Sequence, residues 1–340
     1  MQQLGPSMHT TYTLAAERQA HVIENLLDPI VLFFVAGLGA GLLRSDLRLP
    51  DALYQTLSIY LLLSIGLKGG VELAQAPLPT LLAPAAATLL LGITIPIVAF
   101  VILQKVGRFN RADAAALAAH YGSVSAVTFA LALAYAAELG VTHEAYMPVL
   151  LVLLEIPAIA IGVLLARLGV RGRRIRWGDL AHEVFLGKGI FLLLAGLAIG
   201  YLAGPDRMGK VEPLFVDLFP GALALFLLEM GIVASQRLYD LRRTGPFLVG
   251  FGILMPLLSA SLGLAAGVLA GLSPGGTAIL ATLAASASYI AAPAAMRVAV
   301  PEANPTLYLT ASLGITFPFN VVFGIPIYFW MAMTVFGWLG

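Results

Sequence analysis

Two short polar stretches interrupt long apolar segments of this chain. Serine hydroxyls compete with helical backbone hydrogen bonds, and glycine and proline weaken or block them, so we expect both segments to break mid-helix. A half-helix that begins at such a break presents free N–H groups and a positive dipole end, which suit a small anion. The freed carbonyls and hydroxyls could ligate a hard cation such as sodium. The stretches are residues 118–128, with Gly122, Ser123, Ser125 and Thr128, and residues 284–293, with Ser286, Ser288, Tyr289 and Pro293.

A second matched pair of stretches places polar residues just before prolines. Glu155 precedes Pro157 by two residues, and Thr316 precedes Pro318 by two. Proline frees a backbone carbonyl, and a carboxylate about ten residues inside an apolar span is a functional hypothesis by default. Glu155 is therefore predicted to ligate a coupling ion or carry a proton. The alternative is that it faces a water-filled vestibule or pairs with Lys68 or His120.

These patterns give two sets of candidate site residues. We predict that the substrate is held by Gly122, Ser123, Ser125, Ser286, Ser288 and Tyr289. We predict that sodium or another coupling ion is held by Ser125, Thr128, Glu155, Thr316 and Asn320. The alternative for any single serine or threonine is ordinary helix packing, because small hydroxyl residues commonly line helix contacts in membranes.

The elements that carry these residues are predicted to be transmembrane helices. Of 340 residues, 60% are hydrophobic and 11% charged, with a mean hydropathy of +0.93. A soluble domain could not bury that much apolar surface, and a β-barrel would show short alternating strands. Because a helical span needs about 20 apolar residues, we predict an all-α polytopic membrane protein. Its ten spans are 29–43, 52–70, 78–104, 113–136, 145–168, 185–203, 213–236, 246–271, 276–299 and 305–335.

The two halves of the chain repeat the same features in the same order. Five spans in each half, an odd number, predict a 5+5 inverted repeat in which equivalent elements meet near the membrane centre. The matching stretches are 124–128 with 287–291, 141–145 with 299–303, and 156–157 with 317–318. The predicted units are an extracytoplasmic amphipathic segment at 1–28, a first repeat at 29–168, a cytoplasmic arginine-rich loop at 169–184 and a second repeat at 185–340.

Lysine and arginine placement predicts the orientation. With the N-terminus outside, only Arg18, Lys68, Arg207 and Lys210 of the 19 basic residues fall on the outer side, so both termini should be extracytoplasmic. A net charge of +1 gives no basic excess for nucleic acid, whereas the arginine-rich loop could contact anionic lipid. No phosphate-loop, histidine–carboxylate or nucleophile-elbow motif is visible, and cysteine is absent, so no enzyme activity and no cofactor beyond sodium is predicted.

At these residues the chain resembles the sodium-dependent bicarbonate transporter family. The stretches that carry the resemblance are 65–70 (IGLKGG), 124–128 (VSAVT), 155–157 (EIP), 285–288 (ASAS), Pro293, 303–305 (ANP) and Pro318. The resemblance implies a homotrimer in which a core domain carries substrate and sodium past a gate domain. Tyr289 stands where the family pattern has aspartate, and Asn320 where it has a smaller residue. The loop at 169–182 is short, so the resemblance does not extend to docking of a PII-like regulator there.

The predicted function is secondary active import of a small anion, with bicarbonate as the first candidate, coupled to sodium across the inner (plasma) membrane. One alternative is a sodium- or proton-coupled carrier of a small carboxylate, which Tyr289 and Asn320 favour. A passive anion channel would need a continuous polar stripe through several spans, whereas isolated paired breaks favour alternating access.

Overall fold

The computed structural model describes residues 27–75, 78–168 and 186–339, together with Gly178 and His182. The predicted N-terminal segment 1–28 and the arginine-rich loop 169–184 fall almost wholly outside these residues. Within the described residues the secondary structure is helical and contains no strand, so the all-α prediction is confirmed there.

The helices follow the predicted apolar segments closely. Short 3₁₀ or π-helical segments at Leu78–Leu81, Pro213–Asp217, Thr310–Thr316 and Asn320–Gly324 join or extend them. In chain order the α-helices are α1 (Pro29–Leu42), α2 (Asp51–Gln75), α3 (Leu82–Lys105), α4 (Arg111–Gly122), α5 (Ala126–Glu138), α6 (Met147–Arg167), α7 (Lys188–Met208), α8 (Phe219–Thr244), α9 (Pro246–Leu269), α10 (Pro274–Ala285), α11 (Ala291–Ala299), α12 (Pro305–Leu309), α13 (Phe317–Phe319) and α14 (Ile325–Leu339).

Eight helical segments in the described residues are long and apolar enough to cross a membrane. The chain is therefore a multi-pass membrane protein. Two further predicted spans contain shorter apolar helices, Pro29–Leu42 and Pro274–Ala285. The second is short because its span is divided between α10 and α11.

Four helices form two very close pairs through glycine. A β-carbon on Gly37 of α1 would overlap the Leu228 carbonyl oxygen of α8, and one on Gly66 of α2 would lie 2.5 Å from the Leu193 carbonyl oxygen of α7. Small residues four apart let helix backbones approach closely in membranes. The small residues in these contacts are Gly37 and Gly41 of α1, Gly231 and Ser235 of α8, Gly66 and Gly70 of α2, and Gly196 and Gly200 of α7.

The partners in these pairs interchange between the halves of the chain. The first helix of one half packs on the second helix of the other, in α1 with α8 and again in α2 with α7. Contacts between α2 and α8 join the pairs into one body, which we call the paired-helix group (α1, α2, α7 and α8).

The remaining helices, α3–α6 and α9–α14, form the central group. Helix α3 packs on α4 and α6, and α9 packs on α10 and on the π-helical segment Thr310–Thr316. Residues 113–122 of α4 and 275–285 of α10 are all buried, and both helices are rich in the small residues alanine and glycine. The two helices that were predicted to break therefore lie at the centre of the protein, enclosed by neighbouring helices.

The ends of the two broken helices are tied to the opposite half by carboxylates. Asp113 at the start of α4 accepts a hydrogen bond from the Asn304 backbone N–H (2.7 Å). Glu144, from the loop after α5, accepts from the Ser273 backbone N–H (2.6 Å) at the start of α10 and from its hydroxyl (3.2 Å). Because Gly276 has no side chain, the Glu144 carboxylate can lie over the first turn of α10. Both ties place negative charge at a helix N-terminus, where the dipole favours it.

The close approach at Gly37 predicts a stability difference within one helix. We expect Gly37→Ala to lower the thermal unfolding midpoint in detergent, because overpacking typically costs about 1–3 kcal/mol. A β-carbon on Gly39 of the same helix would meet no described atom within 4 Å, so Gly39→Ala is the matched control and should be neutral or slightly stabilising. Equal midpoints for the two variants would show that the α1–α8 contact is looser than described.

Candidate functional site

The first predicted helix break is present between α4 and α5. Helix α4 ends at Gly122, and the backbone is extended at Ser123 (φ −86°, ψ 178°) and Ser125 (φ −108°, ψ 113°). The Ser125 hydroxyl accepts a hydrogen bond from the Thr128 N–H (3.1 Å), which caps α5 as serine commonly does. A β-carbon on Gly122 would lie 2.6 Å from Cδ of Pro96, so glycine lets the end of α4 rest on the proline of α3. The break thus has a local cause in both its serines and its glycine.

The second predicted break separates α10 from α11. Helix α10 ends at Ala285, and Ser286 is extended (φ −79°, ψ 164°). The Ser286 hydroxyl donates to the Leu283 carbonyl (2.8 Å), and the Ser288 hydroxyl accepts from the Ala292 N–H (3.2 Å). Both serines therefore replace part of the hydrogen bonding that the broken helix loses.

The two breaks contact each other directly. The Ser125 N–H donates to the Ser286 hydroxyl (3.0 Å), and the Ser288 N–H donates to the His120 carbonyl (2.9 Å). All four residues are nearly inaccessible to solvent. Unpaired backbone groups are costly inside a membrane protein, and here each break supplies a hydrogen-bond partner to the other. The breaks therefore lie face to face, as the repeat predicted.

A small, partly open cavity lies beside the paired breaks. Its polar lining consists of Ser125, Glu155, Ser288 and Tyr289. Its apolar walls include Leu62 of α2 and Leu193 of α7, so it lies between the paired-helix group and the central group. Ala126 and Ala291, the first residues of α5 and α11, also line it, and first-turn N–H groups lack partners within their own helix.

Glu155 brings a carboxylate to this cavity from the middle of α6. It is 7% exposed, and the Ser123 hydroxyl donates to Oε1 over 3.4 Å. In the described part of the chain, no lysine, arginine or histidine forms an ion pair with it. Lys68 is exposed, and the His120 ring hydrogen-bonds the Ala116 carbonyl through Nδ1 (2.6 Å). Of the alternatives raised by the sequence, pairing with Lys68 or His120 is not observed, and Glu155 faces the cavity.

Tyr289 adds a phenol to the same cavity. Its ring packs edge-on against Phe317 at 5.4 Å between centroids, and its hydroxyl lies beside the Ser125 side chain. That hydroxyl is buried and forms no hydrogen bond of good geometry with any described residue. Since a buried hydroxyl normally has a partner, this group is available to a bound molecule.

Thr316 and Asn320 lie away from the cavity, with their polar atoms bonded within the protein. The Thr316 hydroxyl donates to the Gly252 carbonyl (2.7 Å) and lies 2.7 Å from the Tyr121 hydroxyl. The Asn320 amide donates to the Ala285 carbonyl (3.0 Å), and its oxygen accepts from the Tyr328 hydroxyl (2.8 Å). Of the predicted ion residues, Ser125 and Glu155 therefore line the cavity, whereas Thr316 and Asn320 are hydrogen-bonded within the protein away from it.

The remaining candidates surround the cavity without lining it. Gly122 and Ser286 form the edges of the breaks, Ser123 contacts Glu155, and Thr128 is buried one turn into α5. The sequence analysis missed the walls from α2 and α7, namely Leu62, Gly189 and Leu193. No sequence signal could have identified them, because apolar and glycine residues occur throughout such helices.

Comparison with known proteins identifies the family of the chain. A family model described as the Na⁺-dependent bicarbonate transporter superfamily matches residues 29–333, from α1 into α14 and across both breaks. No curated protein sequence gives a significant match to the chain. Because the family match extends over most of the chain, the protein belongs to the Na⁺-dependent bicarbonate transporter superfamily.

Proposed function

We propose that the protein imports bicarbonate together with sodium by secondary active transport. The observation that carries this proposal is one cavity that combines the first turns of two half-helices with the Glu155 carboxylate. Helix N-termini attract an anion, whereas two like charges about 4 Å apart repel by about 4 kcal/mol at an effective dielectric constant of 20. An anion is therefore stable beside ionised Glu155 only when a cation lies with it. Co-binding of anion and cation is the basis of symport.

The chemistry of the lining assigns roles within the proposal. Bicarbonate is planar and singly charged, and its oxygens can accept hydrogen bonds from the hydroxyls of Ser125, Ser288 and Tyr289 and from the first-turn N–H groups of Ala126 and Ala291. Sodium prefers oxygen ligands, which Glu155, Ser125 and Thr128 can offer as carboxylate, hydroxyl and carbonyl groups. Gly122 and Ser123 shape the edge of the anion site.

The packing supports two halves of opposite orientation. In the pairs α1–α8 and α2–α7 the partners interchange between the halves, as a 5+5 inverted repeat of ten spans requires. We further propose that the paired-helix group is the gate and the central group the core, because the cavity lies between them. Both termini would then be extracytoplasmic in the inner membrane. A homotrimer and contact of the arginine-rich loop with anionic lipid complete the proposal.

A second candidate substrate is a small carboxylate. The unpartnered Tyr289 hydroxyl could bind its carboxylate oxygen, while Leu62, Leu151 and Leu193 would contact a short apolar tail. Bicarbonate has no such tail, so competition between the two substrates tests the role of the apolar wall.

The proposal predicts sodium-driven uptake by the purified protein. In liposomes at mildly alkaline pH, labelled bicarbonate should accumulate when sodium is imposed outside and should equilibrate only slowly when potassium replaces sodium. Pyruvate and acetate serve as competitors, and protein-free liposomes correct for passive carbon dioxide entry. Uptake that is indifferent to sodium would remove the symport proposal. Stronger inhibition by pyruvate than by unlabelled bicarbonate would favour the carboxylate carrier.

Glu155→Gln should uncouple the anion from sodium. The substitution keeps side-chain volume but removes the charge that repels the anion. We therefore expect anion affinity measured without sodium to rise at least about tenfold, equivalent to about 1.4 kcal/mol. Sodium should then no longer stimulate uptake. Glu72→Gln, which removes a half-buried carboxylate of α2 outside the cavity, is the matched control. Full sodium dependence in Glu155→Gln would exclude Glu155 as the coupling group.

Combined Ser125→Ala and Ser288→Ala substitutions should weaken anion binding. Each lost neutral hydrogen bond is worth about 0.5–1.5 kcal/mol, so we expect the bicarbonate KM to rise about tenfold. Ser259→Ala, at a buried serine of α9 that does not line the cavity, is the control. Thermal unfolding of the same samples separates binding from loss of the α5 cap. An unchanged KM in the double variant would exclude these hydroxyls from the site.

A further inference from the structure

Two equivalent positions in the halves, Glu155 and Thr316, carry side chains of opposite hydrogen-bonding character. Pro96 in α3 and Pro256 in α9 each remove a backbone donor and so free the carbonyl four residues earlier. In the second half that carbonyl belongs to Gly252, and the Thr316 hydroxyl donates to it over 2.7 Å. The equivalent of Thr316 in the first half is Glu155, since each stands two residues before the matched proline.

The chemical difference between these two side chains is the difference between a donor and an acceptor. An ionised carboxylate offers only acceptor oxygens, so Glu155 needs a cation or a proton beside it. The Thr316 hydroxyl donates one hydrogen bond and also lies within hydrogen-bond distance of the Tyr121 hydroxyl, at 2.7 Å. The Thr316 hydroxyl thus has two close partners inside the protein, whereas the Glu155 carboxylate accepts one long hydrogen bond, from Ser123.

Asn320 donates a hydrogen bond to a second backbone carbonyl in the second half of the chain. The carbonyl of Ala285, at the C-terminal end of α10, is of the kind that ligates sodium in broken transporter helices. Here the Asn320 amide donates to it over 3.0 Å, and the Asn320 oxygen accepts from Tyr328. A β-carbon on Gly324 would lie 2.5 Å from that oxygen, so glycine in the π-helical segment makes room for the contact. The amide therefore occupies the carbonyl oxygen that a cation would otherwise contact.

We infer that each protomer carries a single coupling-cation site, at Glu155, and that Thr316 and Asn320 are positioning residues that close its counterpart in the second half. The inference rests on the proposed function. Asn320 fixes the end of α10, and the next residue, Ser286, accepts from the Ser125 N–H at the cavity. The Asn320 side chain therefore acts on the anion site through the backbone of the break, without contacting the cation.

A single cation carried with a single anion makes the cycle electroneutral. We expect a Hill coefficient for sodium of about 1, because the coefficient cannot exceed the number of sites. Each net charge carried would change the accumulation ratio about 50-fold per 100 mV of membrane potential. Accumulation of labelled bicarbonate should therefore not respond to a potassium–valinomycin potential in proteoliposomes that hold the full-length protein.

Variants separate positioning from ligation. Asn320→Ala and Thr316→Val should raise the bicarbonate KM about tenfold while changing the half-saturating sodium concentration less than about twofold, because each removes a hydrogen bond that holds the break. Tyr328→Phe, which removes the donor to Asn320, should change the KM in the same direction, and Thr316→Ser, which keeps the hydroxyl, should restore it. A sodium ligand would behave differently, because its loss raises the sodium requirement.

The outcomes distinguish this inference from the proposed function. Sodium-dependent uptake that is driven by potential, with a Hill coefficient approaching about 2, would overturn the single-site inference and leave symport intact. A tenfold or larger rise in the sodium requirement of Asn320→Ala or Thr316→Val would overturn it as well. Uptake that ignores sodium would overturn both. If Thr316→Val does not fold, the wild-type measurement and the milder Tyr328→Phe variant still decide the result.

Discussion

The structure depends on how a membrane protein satisfies backbone polar groups where helices stop. Bilayer interiors offer no water to an exposed N–H or carbonyl, so a helix can end at mid-depth only when other protein groups complete its hydrogen bonds. Here the two breaks do this for each other, through Ser125 with Ser286 and Ser288 with His120. Neither break could form alone inside a membrane without leaving those groups unpaired. The proposed anion site and the interface between the halves consequently share these contacts.

Polar groups near the breaks differ in how far the protein completes their hydrogen bonding. Groups whose hydrogen bonds the protein completes internally, such as Thr316 and Asn320, stabilise the arrangement. Groups that it leaves incomplete, such as Glu155 and the Tyr289 hydroxyl, face the cavity. Sequence similarity between the halves therefore does not imply equal roles, because a change from threonine to glutamate exchanges a donor for a charge.

The sequence was sufficient to predict the helical class, the positions of the apolar spans and the location of both breaks. These features follow from local signals: long apolar runs, and serine with glycine or proline inside them. Hydrogen-bond partners were not predictable in the same way. Thr316 and Asn320 are predicted from the sequence as ion ligands, and their hydrogen bonds to Gly252, Ala285 and Tyr328 become visible only in the structure. The cavity walls from α2 and α7 depend on helix packing, for which apolar residues carry no distinguishing signal.

The glycine contacts of the paired-helix group have a consequence for the chain's connectivity. Each close pair joins one helix of the first half to one of the second, so the halves are held by tertiary packing as well as by the peptide that connects them. A backbone cut between residues 168 and 186 would leave both crossings in place. Two separately synthesised halves should therefore assemble in the membrane into one working unit, much as two subunits of a dimer do. Neither half alone can supply all the hydrogen-bond partners of its own break.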